Sequence, residues 1–129
     1  MTHRFPIRVY YEDTDLAGFV YYANYLKFIE RARSEWVREL GVDQAAMKAE
    51  TGVVFAVRRV EADYFMPANY DDELVVETSS EKITGARWIL KQTVLRDEIP
   101  LFEALVTIVA VAANGAAARL PANIRRSDP

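Results

Sequence analysis

One helical pattern constrains this sequence more than any other feature. Between residues 22 and 40, apolar side chains recur at the three- and four-residue spacing of an amphipathic helix. They are Tyr25, Ile29, Ala32, Trp36 and Leu40. Gly41 follows at a position where helices commonly end. The predicted helix Tyr22–Leu40 would be roughly 28 Å long at ~1.5 Å per residue. A helix with so broad an apolar stripe needs a large surface to cover it.

The rest of the chain supplies that surface as strands. Residues Phe5–Tyr11 predict a first strand, because they are rich in β-branched and aromatic side chains. Four more strands are predicted after the helix: Val53–Met66, Leu74–Thr84, Ala86–Arg96 and Leu101–Ala113. Turn residues separate them, and consecutive tight connections favour antiparallel pairing. The tail, Pro121–Pro129, predicts no more than a short helical turn.

This order predicts an α+β fold in one domain spanning residues 1–129. A five-stranded antiparallel sheet wraps around one long central helix, because a lone apolar helix must pack on one face of the sheet. A sheet of this size has two exposed edges, which are a liability unless they are paired. We therefore expect the chain to form a homo-oligomer, at least a dimer.

Composition excludes several kinds of site. The 129 residues contain no cysteine and one histidine, His3, so disulfides, thiolate nucleophiles and multi-histidine metal sites are excluded. We expect neither a metal nor a cofactor. The net charge of −3 argues against a nucleic-acid-binding protein. The N-terminal sequence lacks the apolar core of a signal peptide, and no run approaches the ~20 apolar residues of a membrane span. These features predict a soluble, cytoplasmic protein.

The segment between the first strand and the helix carries the candidate chemistry. Asp13 and Asp15 lie there, and Gly18 allows the backbone to approach a ligand closely. The helix has no Ser, Thr or Asp cap at Val20 or Tyr21, which would leave its first amides free to bind an anion. In acyl transfer that anion is the oxygen of the tetrahedral intermediate. A carboxylate beside such amides would give a hydrolase both the group that attacks or activates water and the donors that stabilise the oxyanion.

Two other interpretations fit the same residues. Aspartates between a strand and a helix commonly form turns or caps. Asn24 could be the N-cap, which would move the helix start past Tyr22 and remove the oxyanion site. The residue pattern alone leaves these alternatives open.

The segment Asp13–Tyr25, DTDLAGFVYYANY, resembles the signature of hot-dog-fold thioesterases of the 4-hydroxybenzoyl-CoA thioesterase class. The sequences of residues 8–15, RVYYEDTD, and of residues 28–33, FIERAR, are most similar to those of the Tol–Pal-associated acyl-CoA thioesterases. A weaker similarity continues through residues 64–68 and 119–121, so the resemblance covers nearly the whole chain.

The resemblance implies the hot-dog fold and the hydrolysis of an acyl-CoA thioester to a free acid and CoA. Asp15 matches the family's catalytic carboxylate, which either attacks the thioester carbonyl or activates water. The backbone amide of Tyr22 matches the donor to that carbonyl, and Tyr11 matches a tyrosine that lines the site. Asp13 fits a structural cap better. One departure is that many Tol–Pal-associated relatives have histidine where this chain has Tyr22, whereas hydroxybenzoyl-type relatives have an aromatic residue.

The implied substrate and assembly suggest further residues and alternatives. CoA phosphates require arginine or lysine, and we name Arg58 and Arg87 as candidates, although a solvated surface charge is the commoner role of such an arginine. The assembly implied is a homodimer or homotetramer.

A non-catalytic acyl-CoA-binding or scaffolding module of the same fold is the alternative function. An acyl dehydratase of this fold fits less well, because its catalytic histidine would have to be His3.

Overall fold

The computed structural model describes residues 2–127, and a curled antiparallel sheet makes up most of it. The strands are β1 (Thr2–Arg8), β2 (Val54–Tyr64), β3 (Glu73–Ile83), β4 (Arg87–Arg96), β5 (Ile99–Val111) and β6 (Ala117–Ala118). The α-helices are α1 (Tyr25–Glu39), α2 (Gln44–Thr51) and α3 (Ala122–Arg125). Two 3-10 turns, Tyr11–Asp13 and Tyr22–Asn24, lie between β1 and α1.

Every strand pairs antiparallel to its neighbours, in the order β1-β3-β4-β5-β2, and the short β6 adds to β5. Three of the pairings shift register: β2 with β5 after Val57, β3 with β4 after Ser80, and β4 with β5 after Val94. Such bulges increase the local twist and bend a strand. They help the sheet to curl around the helix.

Helix α1 fills the concave face of the sheet. Its buried side chains include Phe28, Ile29, Ala32 and Trp36. Alternate residues of the strands meet them, because successive side chains of a strand point to opposite faces. The fully or almost fully buried strand residues include Leu74, Val76, Trp88, Leu90, Phe102 and Val106. The predicted α+β architecture, a sheet covering one long apolar helix, is confirmed.

The start of the helix differs from the prediction. Helix α1 begins at Tyr25 rather than Tyr22, and residues Tyr22–Asn24 form a 3-10 turn in front of it. The cause is local, since the Asn24 amide donates to the Tyr21 carbonyl three residues back, at 2.7 Å. The helix ends at Glu39, with Leu40 as its C-cap residue. The first strand is also displaced, to Thr2–Arg8 from the predicted Phe5–Tyr11, because a 3-10 turn begins at Tyr11.

Two elements were not predicted. Asp43 is the N-cap of helix α2, and its side chain accepts from the Ala46 amide at 3.0 Å; Gly52, with φ of +74°, is the C-cap. An Asp cap and a terminal glycine are recognisable sequence signals for a helix. Strand β6 has two residues and no such signal. In the predicted C-terminal turn, α3 forms as expected, whereas residues 128 and 129 lie outside the described residues.

The edge strands of the sheet are β1 and β2, and β2 is the more exposed of the two. Strand β2 is exposed from Ala56 to Tyr64, including the apolar Val57 and Val60. Only β5 pairs with it among residues 2–127. In the same part of the chain, none of the helices is long and apolar enough to cross a membrane.

Candidate active site

The segment from β1 to α1 is folded onto itself by backbone hydrogen bonds. Asp13 holds it together, because its buried carboxylate accepts from the Tyr10 amide at 2.8 Å. The Asp13 carbonyl accepts from the Tyr21 amide and from Nδ2 of Asn24, both at 2.9 Å. Asp13 therefore has the structural role that its position predicted. It fixes the distance between the start of the loop and the start of the helix.

Asp15 lies at the tip of this loop and is exposed. Its Oδ1 accepts from the Ala17 amide at 3.0 Å and from the Phe19 amide at 3.3 Å. Its backbone amide donates to the Phe19 carbonyl at 2.8 Å. Among residues 2–127, no hydrogen bond involves Oδ2 of Asp15. One carboxylate oxygen is thus anchored, and the other is available for a reacting group.

Gly18 makes the tight turn behind Asp15. Its φ is +81°, a left-handed conformation that glycine adopts without steric cost. Its amide donates to the Asp15 carbonyl at 3.0 Å, and its carbonyl accepts from the Tyr70 amide at 3.3 Å. A Cβ at this position would meet nothing within 4 Å, so the backbone conformation rather than crowding favours glycine.

The amides at the start of the helical segment have no acceptor. Within residues 2–127, the N–H groups of Tyr22 and Ala23 make no hydrogen bond, whereas the Tyr21 carbonyl is held by the Asn24 amide. Asn24 is the residue that precedes α1, yet its side chain donates to Asp13 instead of capping the helix. The alternative in which Asn24 is the N-cap is therefore right about the helix start, which moves past Tyr22, but the Asn24 side chain leaves the first amides uncapped. The entrance of the helix keeps free donors.

Asp15 and Tyr22 line one cleft. Its volume is about 430 Å³, and aromatic and apolar side chains form most of its wall. The lining residues are Asp15, Phe19, Val20, Tyr21, Tyr22, Tyr25, Tyr64, Phe65, Met66 and Pro67. Free amides can polarise a carbonyl bound in this cleft, and a carboxylate can attack that carbonyl or activate water.

Tyr64 and Tyr25 were not identified as site residues from the sequence. The Tyr64 hydroxyl donates to the Tyr22 carbonyl at 2.9 Å and so orients the peptide that carries the Ala23 amide. The Tyr25 hydroxyl accepts from the Ala68 amide at 3.0 Å and ties the helix to the loop after β2. The Tyr25 ring stacks on Phe102, with centroids 4.9 Å apart. Tyr64 begins the segment of weak similarity at residues 64–68, which was the available sequence signal.

Burial raises the pKa of both hydroxyls. For Tyr64 the neighbouring Tyr22 and Tyr25 add to the effect of burial. For Tyr25 burial dominates, and the hydrogen bond from Ala68 partly opposes it. A raised pKa keeps each phenol neutral at physiological pH. Tyr64 therefore remains a hydrogen-bond donor to the helix entrance.

The other predicted residues lie elsewhere. Tyr11 is 84% exposed and packs edge-on against Tyr70, at 6.4 Å between ring centroids, outside the wall of the cleft. Arg58 and Arg87 both line a surface depression of about 600 Å³ on the outer face of β2, β5 and β4. That depression shares no lining residue with the cleft.

Comparison with known proteins gives a consistent result. The family model of the thioesterase-like superfamily matches residues 9–127. The chain is 42% identical over 107 residues to the acyl-CoA thioesterase YbgC of Haemophilus influenzae, covering 83% of this chain and 79% of that protein. It is also 42% identical over 109 residues to the acyl-CoA thioester hydrolase YbgC of Escherichia coli O157:H7, covering 84% and 81% respectively.

Solved structures show the same architecture. A probable thioesterase from Bartonella henselae superposes with a TM-score of 0.89 at 36% identity, covering 94% of this chain and all (100%) of that one. A 4-hydroxybenzoyl CoA thioesterase superposes with a TM-score of 0.90 at 22% identity, covering 98% and 99%. The second likeness shows the fold alone. The hot-dog fold that the signature implied is confirmed.

Proposed function

The chain belongs to the thioesterase-like superfamily, and from this premise we propose that it hydrolyses an acyl-CoA thioester to a free acid and CoA. The observation that carries the proposal is the shared cleft of Asp15, which has a free carboxylate oxygen, and Tyr22, which has an unpaired amide. The 42% identity to YbgC proteins named as acyl-CoA thioesterases supports the substrate class.

The residues of the cleft support two routes for the carboxylate. As a nucleophile, Oδ2 of Asp15 bonds to the thioester carbon, the C–S bond breaks, and water then cleaves the mixed anhydride. As a general base, the same oxygen takes a proton from the water that attacks the carbon. In both routes the thioester oxygen becomes negative next to the Tyr22 amide, which stabilises it. CoA leaves as a thiolate that takes up a proton from solvent.

Thiol release from acyl-CoA substrates tests the proposal. Purified protein is expected to release free CoA thiol from a panel of short-chain acyl-CoA compounds at a rate that saturates with substrate concentration. Binding of acyl-CoA in calorimetry without thiol release would instead establish the alternative function, a non-catalytic binding module.

We also propose that Arg58 and Arg87 bind the phosphates of CoA. Neither guanidinium has a carboxylate partner within residues 2–127, whereas the adjacent Arg59 is paired with Glu61 at 2.9 Å. Arg58 lies six residues before Tyr64 on β2, roughly 20 Å away at ~3.3 Å per residue. A ligand that contacts both the arginines and the cleft must therefore be extended, as an acyl-CoA is.

Replacing both arginines is expected to raise KM for acyl-CoA. The double variant Arg58→Gln/Arg87→Gln should raise it about tenfold, since roughly 1.4 kcal/mol of binding is a factor of ten. The kcat should be unchanged, because the phosphates are remote from the reacting carbon. Steady-state kinetics with acyl-CoA and acyl-pantetheine measures this, because acyl-pantetheine lacks the nucleotide phosphates. An equal rise for both substrates, or a similar rise in Arg31→Gln on the exposed side of α1, would contradict the assignment.

We propose that β2 pairs with a second copy of the chain. Strand β2 is an exposed edge that carries Val57 and Val60, and unpaired edges of this kind promote association. Two-fold antiparallel pairing would place equivalent residues of the two copies near each other. The assembly is then a homodimer, or a homotetramer of such dimers.

A charge placed on this edge is expected to separate the copies. Val60→Asp would oppose two carboxylates across the two-fold axis, whereas Ile99→Asp adds the same charge to an exposed site outside β2. Sedimentation equilibrium should give a multiple of 14.7 kDa for the wild type and for Ile99→Asp, and 14.7 kDa for Val60→Asp. A wild type that sediments as a monomer would refute the pairing. The Tol–Pal association and the cytoplasmic location stay predictions.

A further inference from the structure

A second cavity lies between the middle of α1 and the sheet. Its volume is about 220 Å³, and it shares no lining residue with the cleft of Asp15. Glu30, Arg33, Ser34 and Val37 line it from α1, since residues three, four and seven apart share one face of a helix. The opposite wall is largely apolar and includes Trp88 of β4.

A buried network fixes Arg33 in the wall of this cavity. Its Nη1 donates to Oε1 of Gln92 at 3.0 Å. Gln92 is fully buried, and its Nε2 donates to the Ile29 carbonyl at 2.9 Å and to the Thr78 hydroxyl at 3.0 Å. The amide of Gln92 therefore cannot turn without breaking two hydrogen bonds. The guanidinium is held in place before any ligand arrives, which lowers the entropic cost of binding.

The charge of Arg33 is not neutralised. Burial lowers the pKa of Arg33, and the charge of Glu30 opposes that effect without forming an ion pair. Within residues 2–127 no carboxylate lies within salt-bridge distance of Arg33. Glu30 is exposed and accepts from the Ser34 hydroxyl at 3.2 Å. Arginine remains protonated, and a partly buried cation is normally paired.

We propose that the Arg33 cavity binds the carboxylate of a small aliphatic acid. The guanidinium presents several N–H donors in a plane that matches a carboxylate, and one hydrogen bond to Gln92 leaves others available. The apolar wall suits an alkyl chain. At about 30 Å³ per heavy atom, 220 Å³ accommodates about seven heavy atoms, which corresponds to an acid of four or five carbons.

The carboxylate has two sources if the proposed function holds. It is either the free acid that thioester hydrolysis releases or a carboxylate at the far end of a long acyl chain, since Arg33 follows Tyr22 by eleven residues, roughly 16 Å at ~1.5 Å per residue. Only this question of source rests on the proposed function. Binding to Arg33 is tested without turnover.

Direct binding of butyrate and pentanoate tests the cavity. Titration into wild-type protein should change the tryptophan fluorescence in a saturable way, because Trp88 lines the cavity and lies 5.5 Å from Trp36. Arg33→Gln retains a donor for Gln92 but not the charge, and it should weaken binding at least tenfold. The matched control Arg31→Gln, an exposed arginine on the same helix, should bind as the wild type does.

Two additional probes keep the result decisive if Arg33→Gln unfolds. Butyramide, which has the same shape as butyrate without its charge, should not saturate the site. Ala56→Phe fills the cavity from the exposed strand β2 and leaves the Arg33 network intact, so it should abolish binding. The proposal would be overturned if the wild type showed no saturable binding of butyrate or bound butyramide equally well. Unchanged butyrate binding to folded Arg33→Gln or to folded Ala56→Phe would also overturn it.

Steady-state kinetics identifies the source of the carboxylate that binds Arg33. If the carboxylate belongs to the substrate, kcat/KM should favour the CoA thioester of a dicarboxylic acid of about fourteen carbons, long enough to span roughly 16 Å, over tetradecanoyl-CoA, and Arg33→Gln should lose that preference. If it is the free acid, the two substrates should be hydrolysed alike while butyrate binding still depends on Arg33. A protein that binds butyrate through Arg33 and releases no thiol from any acyl-CoA would refute the proposed function and leave the carboxylate site established.

Discussion

Replacing Asp15 by asparagine is expected to lower kcat for thioester hydrolysis by about 10²–10⁴-fold, the range for removal of a positioned base. The oxygen of the new amide can still accept from Ala17 and Phe19, at the place of Oδ1. The other position becomes an NH₂ group, which can neither attack a carbonyl nor take a proton from water. The loop is therefore preserved while the chemistry is removed. Thiol release at saturating acyl-CoA measures the loss.

The control is Glu12→Gln, which makes the same charge change at an exposed residue of the same segment. It should retain wild-type kcat. The free energy of unfolding of both variants should differ from that of the wild type by less than about 0.5 kcal/mol, as is usual for exposed sites. If Asp15→Asn and wild type release thiol at equal rates, Asp15 has no chemical role. A loss of similar size in Glu12→Gln would indicate that the net charge of the loop matters instead.

Replacing Phe102 by alanine is expected to lower the free energy of unfolding by about 3–5 kcal/mol, the usual cost of removing a buried aromatic ring. Phe102 is 0% exposed, stacks on Tyr25 at 4.9 Å, and packs against Tyr64 at 5.0 Å between ring centroids. These two tyrosines hold the helix entrance and the loop after β2 in place. The substitution should therefore also reduce kcat, although Phe102 does not line the cleft.

Urea unfolding followed by tryptophan fluorescence at a fixed protein concentration measures the change, because association with a second copy would shift apparent stability. Ile99→Ala, at an exposed residue of the same strand, should cost less than about 1 kcal/mol. Phe102→Leu should show a smaller loss than Phe102→Ala, which keeps the test informative if the alanine variant does not fold. Equal losses for Ile99→Ala and Phe102→Ala would show that the stacked rings contribute little.

Local patterns accounted for much of the site. Asp15, Gly18 and Tyr22 lie within one short segment, and their roles depend on turn chemistry and on a helix start that the neighbouring residues set. The structure brings Asp15 and Tyr22 to one cleft as predicted. It excludes Tyr11 from the wall of that cleft, because the 3-10 turn at Tyr11–Asp13 leaves this side chain in solvent.

The sequence by itself determined the kinds of element and their faces. The period of α1 specifies which of its side chains are buried, since residues three and four apart share one face of a helix. The strand order did not follow from them, and it is this order that makes β2 an edge and leaves Val57 and Val60 exposed.

Contacts between distant residues were decided only by the tertiary structure. The hydrogen bond from Tyr64 to Tyr22 spans 42 residues, and the bond from Arg33 to Gln92 spans 59. No periodicity encodes such a pair, because it depends on how strands register against a helix that forms elsewhere in the chain. Asp15 could therefore be proposed as a site residue from its own neighbourhood, whereas the unpaired charge of Arg33 became visible only in the folded structure, where the sheet closes around α1.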